Sequence, residues 1–141
     1  MNTMTRIDYV DDRNIHHDFP ATVENDDRGY IVRVYPNDAL LGTPAEFVEI
    51  ALRETANGSL QVVALHNPTS NWSNHIGVVS NTLLHCSRLF KVVIVSSPPS
   101  SNDPTVWRSL DATAMWERLV ERKLASYDPV NRQFYIPNET R

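Results

Sequence analysis

Glu49 and His66 are the residues whose types and predicted spacing come nearest to catalytic chemistry. The dipeptide Asn57-Gly58 lies between two apolar runs and is the strongest short-range signal for a β-hairpin. A two-residue type I′ turn there places Glu49 directly opposite His66. A carboxylate beside an imidazole orients the ring and raises the histidine pKa, which makes a minimal general acid–base unit. No nucleophile is predicted beside the pair, so a cross-strand polar contact is the alternative interpretation.

Two polar loops form a second candidate site, for a small ligand, an anion or the substrate of a small hydrolase. Each loop follows a predicted strand and precedes a predicted helix. In open α/β sheets such loops meet at the carboxyl ends of parallel strands, where helix N-termini suit anions. The same residue types also occur in ordinary turns and N-caps, which is the alternative. The candidate ligand-binding residues are His66, Asn67, Thr69, Ser70, Ser96, Ser97, Asn102 and Asp103.

The spacing of histidine and cysteine residues argues against a metal centre. His75 and His85 are ten residues apart on one predicted helix, so they lie about 15 Å apart along its axis. Cys86 shares the apolar stripe of that helix, so we expect it to be buried and unreactive. The sequence has no Cys-x-x-Cys, His-Glu-x-x-His or calcium-loop pattern. We therefore predict neither a metal nor a cofactor.

The elements that would position these residues predict an α+β fold. Residues 29–35 are rich in β-branched and aromatic side chains and predict a strand, and residues 46–67 predict the hairpin. Apolar positions at helical spacing predict helices over about 70–87, capped by Thr69 or Ser70, and over about 104–126, with a break near residues 111–113 as an option. Between them, residues 90–95 predict a central strand, and residues 132–136 a last strand. Together these elements predict a mixed sheet with one βαβ-like crossover.

The hairpin register is fixed by its apolar face. Pairing Ala56 with Ser59 places Ile50 opposite Leu65 and Leu52 opposite Val63. The other face then pairs Ala51 with Ala64, Arg53 with Val62 and Thr55 with Leu60. Because side chains alternate along a strand, a slip of one residue would move Ile50 and Leu52 to the polar face.

Length and composition predict one soluble domain preceded by an acidic arm. The chain has 141 residues, of which 41% are hydrophobic and 21% charged, near the averages of soluble proteins. Its net charge is −4, and residues 1–27 carry seven acids against two arginines, an excess of five negative charges. We expect residues 1–28 to form this arm, with residues 6–10 as a short edge strand in it, and residues 29–141 to form the domain.

The predicted function is binding of a protein partner by a non-enzymatic module. Inhibitors, toxin-immunity proteins and adaptors of phage or bacterial type fit this prediction, and an acidic surface suits a basic or nucleic-acid-binding protein.

The net negative charge argues against direct nucleic-acid binding, and no apolar run is long enough for a membrane span. A single cysteine and the lack of a signal sequence suggest the cytoplasm. A structural subunit, or a homo-oligomer joined through the arm or last strand, is a further alternative. The partner-binding candidates are Asp8, Asp11, Asp12, Asp18, Asp26, Asp27, Trp107 and Trp116.

Overall fold

One mixed sheet of eight strands and two helices make up the described part of the chain. A computed structural model describes residues 2–38, 47–66, 77–98 and 110–137. In chain order the elements are β1 (Asn2–Val10), β2 (His16–Asp26), β3 (Gly29–Val34), β4 (Val48–Glu54), β5 (Leu60–His66), α1 (Val78–Phe90), β6 (Ile94–Val95), α2 (Leu110–Glu121), β7 (Ser126–Asp128) and β8 (Gln133–Ile136). The strand order is β1-β2-β3-β4-β5-β6-β8-β7, which confirms the predicted α+β class.

Strands β1 to β5 form an antiparallel meander, and α1 then carries the chain to β6, which pairs with β5 in parallel. The predicted βαβ-like crossover is confirmed. The central strand is shorter than the predicted 90–95, because Phe90 ends α1 and Lys91 adopts a left-handed conformation after it. β8 lies antiparallel to β6, as the last strand, and β7 is an edge strand that the sequence analysis missed.

The acidic segment is part of the sheet, in contrast to the arm expected from its charge. Asn2–Val10 pairs with β2 along its full length, and β2 also pairs with β3. Alternate side chains face the core, and among these Ile7 on β1 and Ala21 and Val23 on β2 are buried. The charges occupy the intervening positions. The predicted edge strand over residues 6–10 lies within β1, whereas β2 was not predicted because charge density was considered without this two-residue alternation.

The β4–β5 hairpin has the predicted register at its far end and a different one at its turn. Glu49 pairs with His66, Ile50 with Leu65 and Ala51 with Ala64, as predicted. A β-bulge follows, so the remaining predicted pairs are wrong by one residue: Leu52 pairs with Val62, Arg53 with Gln61 and Glu54 with Leu60. The loop has three residues, Thr55 N–H bonds the Ser59 carbonyl at 2.9 Å, and only Gly58 has positive φ. A type I turn with a left-handed glycine therefore replaces the predicted type I′ turn.

The bounds of both helices differ from those predicted, and residues 104–109 of the second predicted helix lie outside the described residues. Gly77 is left-handed, with φ 75° and ψ 27°, and is the N-cap of α1, so the predicted helix over 70–87 cannot run continuously through it. α1 instead extends to Phe90, and the predicted caps Thr69 and Ser70 lie outside the described residues. α2 is continuous from Leu110 and ends at Glu121 instead of residue 126, because Ser126–Asp128 forms β7.

The two helices cover the same face of the sheet. Thr5 Oγ1 on β1 lies 2.9 Å from His85 Nε2 on α1, and Tyr30 on β3 stacks on Phe90 at 4.0 Å between ring centroids. On α2, Trp116 stacks on Phe134 of β8 at 6.0 Å. Side chains on this face form the core. The opposite face of β1 to β5, which we call the open face, has no described helix against it and carries polar side chains.

Candidate functional site

The open face carries the main concentration of ordered charge among the described residues. Alternation along the strands and the pairing register place eight charged side chains on it: Arg6, Asp8, Asp18, Glu24, Asp26, Arg33, Glu49 and Arg53. Five carboxylates against three guanidinium groups leave a net charge of −2. Because strands rather than loops carry them, their relative positions are fixed by the hydrogen bonds of the sheet.

Arg33 on β3 is the centre of a first ionic cluster. Its Nε donates to Glu49 Oε1 at 2.8 Å, and a terminal nitrogen lies 3.2 Å from Glu24 Oε2. Its guanidinium carbon lies 5.5 Å from the centroid of the Phe47 ring. Partial burial disfavours the charged form, but the two carboxylates outweigh it and raise the pKa of Arg33. One arginine between two carboxylates leaves one negative charge uncompensated.

A second cluster of the same composition lies nearer the edge of the sheet. Arg6 Nε donates to Asp18 Oδ1 at 2.7 Å, and another Arg6 nitrogen donates to Asp38 Oδ1 at 2.9 Å. Asp38 and Asp18 raise the pKa of Arg6. This cluster also has an excess of one carboxylate. Asp8, directly opposite Asp18 in the register, contacts His16, a residue that is charged only when protonated.

The predicted pair of Glu49 and His66 is confirmed as cross-strand neighbours. However, the carboxylate of Glu49 hydrogen bonds Arg33 on its other side. The His66 side chain is exposed, and its ring lies 6.3 Å from that of Phe47. The described contacts therefore make Glu49 part of an ion pair network and give the pair no acid–base geometry of its own.

Asp11 has a structural role in the turn between β1 and β2. Its carboxylate accepts hydrogen bonds from the main-chain N–H groups of Arg13, at 2.8 Å, and Ile15, at 3.0 Å, and lies 2.8 Å from His17 Nε2. Its side chain is only 7% exposed. The hydrogen bond with His17, followed by those with the turn, lowers the pKa of Asp11. Burial, and to a smaller extent the charge of Asp11, raises the pKa of neighbouring Tyr9.

The other acidic candidates divide into a turn residue and two exposed residues. Asp26 caps the β2–β3 turn by accepting hydrogen bonds from the N–H groups of Arg28, at 2.7 Å, and Gly29, at 2.9 Å. Asp12 and Asp27 are exposed. Asp12 lies 3.9 Å from a terminal nitrogen of Arg122.

The two described serines of the second polar loop have structural roles. Ser96 and Ser97 are buried. The Ser96 hydroxyl accepts the N–H of Phe134 at 3.0 Å, and the Ser97 hydroxyl donates to the carbonyl of Val62. These bonds tie the end of β6 to its two neighbours. The candidates Asn67, Thr69, Ser70, Asn102 and Asp103 lie outside the described residues.

The structure corrects the prediction for Trp116 and confirms the one for Cys86. Trp116 is 1% exposed and packs in the core, so it is not an exposed residue available to a partner. Trp107 lies outside the described residues. Cys86 is confirmed as buried, and burial raises the pKa of its thiol to about 12. A thiol so rarely ionised is a weak nucleophile.

An open groove of about 500 Å³ lies on the other side of the sheet, where α2 passes over β7 and β8. Among its lining residues are Glu117, Glu121 and the half-exposed Tyr127. Within the described ranges, no three His, Cys, Asp or Glu side chains come together as metal ligands. Neither described helix is long and apolar enough to cross a bilayer.

No protein-family model, no curated protein and no solved structure matches this chain. The geometry of the described residues is therefore the basis for inferring a function.

Arg33 and Glu24, which connect Glu49 to the rest of the open face, were not among the site residues predicted from the sequence. A signal was present, because Arg33 is the one charged residue within the apolar strand 29–34. A lone charge in such a strand marks the face turned away from the core. Its partners could not be assigned without the registers of three strands.

Proposed function

We propose that this protein is a non-enzymatic protein-binding module and that its open face binds a basic segment of a partner protein. The observation that carries this proposal is the pair of ionic clusters on that face. Each cluster holds one arginine between two carboxylates: Arg33 between Glu24 and Glu49, and Arg6 between Asp18 and Asp38. Each therefore presents one negative charge that a cationic side chain of the partner can neutralise.

The arrangement favours binding because the side chains are already ordered. Arg33 holds Glu24 and Glu49 in place, so these carboxylates lose little rotamer freedom when a lysine or arginine of the partner reaches them. Complementary charge also steers the encounter and disfavours acidic partners. Basic partners include proteins that themselves bind nucleic acid. An inhibitor, immunity protein or adaptor of such a protein therefore fits this surface.

Capture from a lysate of the native host, followed by mass spectrometry, tests the proposal. The bait proteins are the wild type, the face variant Glu24→Gln/Glu49→Gln and the control Glu117→Gln/Glu121→Gln. The control removes the same two charges from α2, whose two glutamates line the groove on the helix-covered side. Circular dichroism should first show that all three baits are folded.

We expect the wild type and the control to capture equal amounts of the same basic protein. The face variant should capture at least tenfold less of it. Equal recovery with all three baits would place the binding surface elsewhere. Recovery of acidic proteins alone would contradict the proposed class of partner.

A further inference from the structure

Among the described strands, β1 lies at the end of the sheet, and half of its main-chain groups point away from β2. Asp11 N–H bonds the carbonyl of Ile15 at 2.9 Å, which makes this pair hydrogen-bonded in the antiparallel ladder. Hydrogen-bonded and non-hydrogen-bonded pairs alternate, so the odd-numbered residues of β1 bond to β2. The even-numbered residues Met4, Arg6, Asp8 and Val10 therefore direct their N–H and C=O groups outward from the sheet.

The side chains of these same four residues lie on the open face and are exposed. Met4 is 66% exposed and Val10 51%, although both are apolar. Between them, Arg6 and Asp8 carry opposite charges two positions apart. Asp8 also lies directly opposite Asp18 on β2, and two like charges at opposed positions repel each other. The strand thus presents the order apolar, positive, negative, apolar.

We propose that β1 pairs with β1 of a second copy of this chain, antiparallel about a twofold axis at Ile7, to form a homodimer with one continuous sheet. Arg6 of each copy then lies opposite Asp8 of the other, and Met4 opposite Val10. A shift of two residues in one direction would oppose Arg6 to itself, and in the other direction Asp8 to itself. The self-complementary charge pattern therefore selects a single register.

This dimer joins the two open faces edge to edge, because an antiparallel pair places cross-strand neighbours on the same face of the sheet. The proposal does not depend on the open face binding a partner. A contact confined to one strand from each copy buries less area than a standard interface, so the dimer should be reversible and depend on protein concentration.

Sedimentation velocity of the full chain between about 1 μM and about 300 μM tests the proposal, because an interface smaller than the standard size is expected to be weak. We expect the wild type to shift from monomer to dimer across this range. Arg6→Glu and Asp8→Arg should each raise the dissociation constant at least tenfold, because each opposes like charges. An equimolar mixture of the two variants should recover a heterodimer, because glutamate at 6 then meets arginine at 8 and Asp8 meets Arg6.

Two more variants keep the test decisive if Arg6→Glu loses its fold along with its bonds to Asp18 and Asp38. Asp8→Pro removes an outward N–H without removing a bond to β2, so it should abolish the dimer. Arg53→Glu, on the same face but on β4, is the charge-reversal control and should dimerise as the wild type does. A monomer at every concentration would overturn the proposal. So would a dimer that Asp8→Pro and Asp8→Arg leave unchanged.

Discussion

Gly29 is a residue at which the sheet leaves no room for a side chain. A Cβ atom there would lie 2.0 Å from the Leu52 carbonyl oxygen of the neighbouring strand, so the backbone of β3 or β4 would have to move. We expect Gly29→Ala to lower the free energy of unfolding by roughly 2 kcal/mol or more, as measured by urea titration. Gly58→Asn is the control, because its Cβ meets nothing within 4 Å and asparagine tolerates positive φ. A loss in Gly29→Ala no greater than in the control would show that the sheet is looser here.

His85 should make stability depend on pH. Burial, with a contribution from the charge of Arg88, lowers the pKa of His85 below its ordinary value. The unfolded chain therefore binds the proton more readily than the folded protein does. The stability that the neutral imidazole provides is complete above the unfolded pKa, about 6.5, and is lost as the pH falls through the lower folded value.

His85→Gln isolates this effect, because glutamine can bond to Thr5 and does not titrate. We expect the wild type to lose more stability than the variant between about pH 7.5 and about pH 5, within which histidine gains its proton. Urea titrations at both pH values measure the difference. Parallel losses in the two proteins would assign the pH dependence to other groups.

At the scale of elements, the β1–β2 hairpin depends on the carboxylate of Asp11. This group accepts two main-chain hydrogen bonds within the turn and bonds to His17, whereas neighbouring Asp12 is exposed. We expect Asp11→Asn to lower the melting temperature at neutral pH and Asp12→Asn to leave it unchanged. Because the pKa of Asp11 is lowered in the folded state, its contribution is present above the ordinary aspartate value and disappears in acid. Equal melting temperatures of the two variants near neutral pH would contradict this assignment.

The elements that could be predicted from the sequence are those whose structure depends on residues close to one another in the chain. The strands at 29–34 and 133–136 follow from β-branched and aromatic enrichment, and the turn at Gly58 follows from a preference of glycine itself. The β-bulge next to Ala51 was not predictable in the same way. It turns Leu60 and Val62 towards the core, so it is imposed by tertiary packing, and a sequence window without its neighbours does not contain that constraint.

The β1–β2 hairpin shows how composition can conceal a regular pattern. Seven acids among residues 1–27 suggested an arm, yet the core side of these strands needs only alternate apolar residues. The charges on the other side are paired across strands, as Arg6 is with Asp18. Such pairing is visible only when the register is known, so neither the strands nor the ionic clusters could be derived from local charge.

At the scale of the whole molecule, the residues that stabilise the fold and those exposed for recognition lie on opposite faces of the sheet. Both helices and the buried apolar core lie on one face of the sheet, and the clusters around Arg33 and Arg6 lie on the other. Substitutions on the open face should therefore change recognition with little effect on the core. The same separation explains why the fold class could be predicted while the site could not. The class depends on element types along the chain, whereas the site combines side chains from several strands.

The association rate of the purified partner, measured as a function of salt concentration, tests the role of the open face most directly. We would compare the wild type, the face variant Glu24→Gln/Glu49→Gln and the control Glu117→Gln/Glu121→Gln from about 50 mM to about 500 mM salt, because screening shortens the range of attraction between exposed charges over this interval. We expect a wild-type rate that falls steeply with salt, the same slope for the control, and a slower rate with a shallower slope for the face variant. A face variant that associates at the wild-type rate at every salt concentration would contradict this role of the open face.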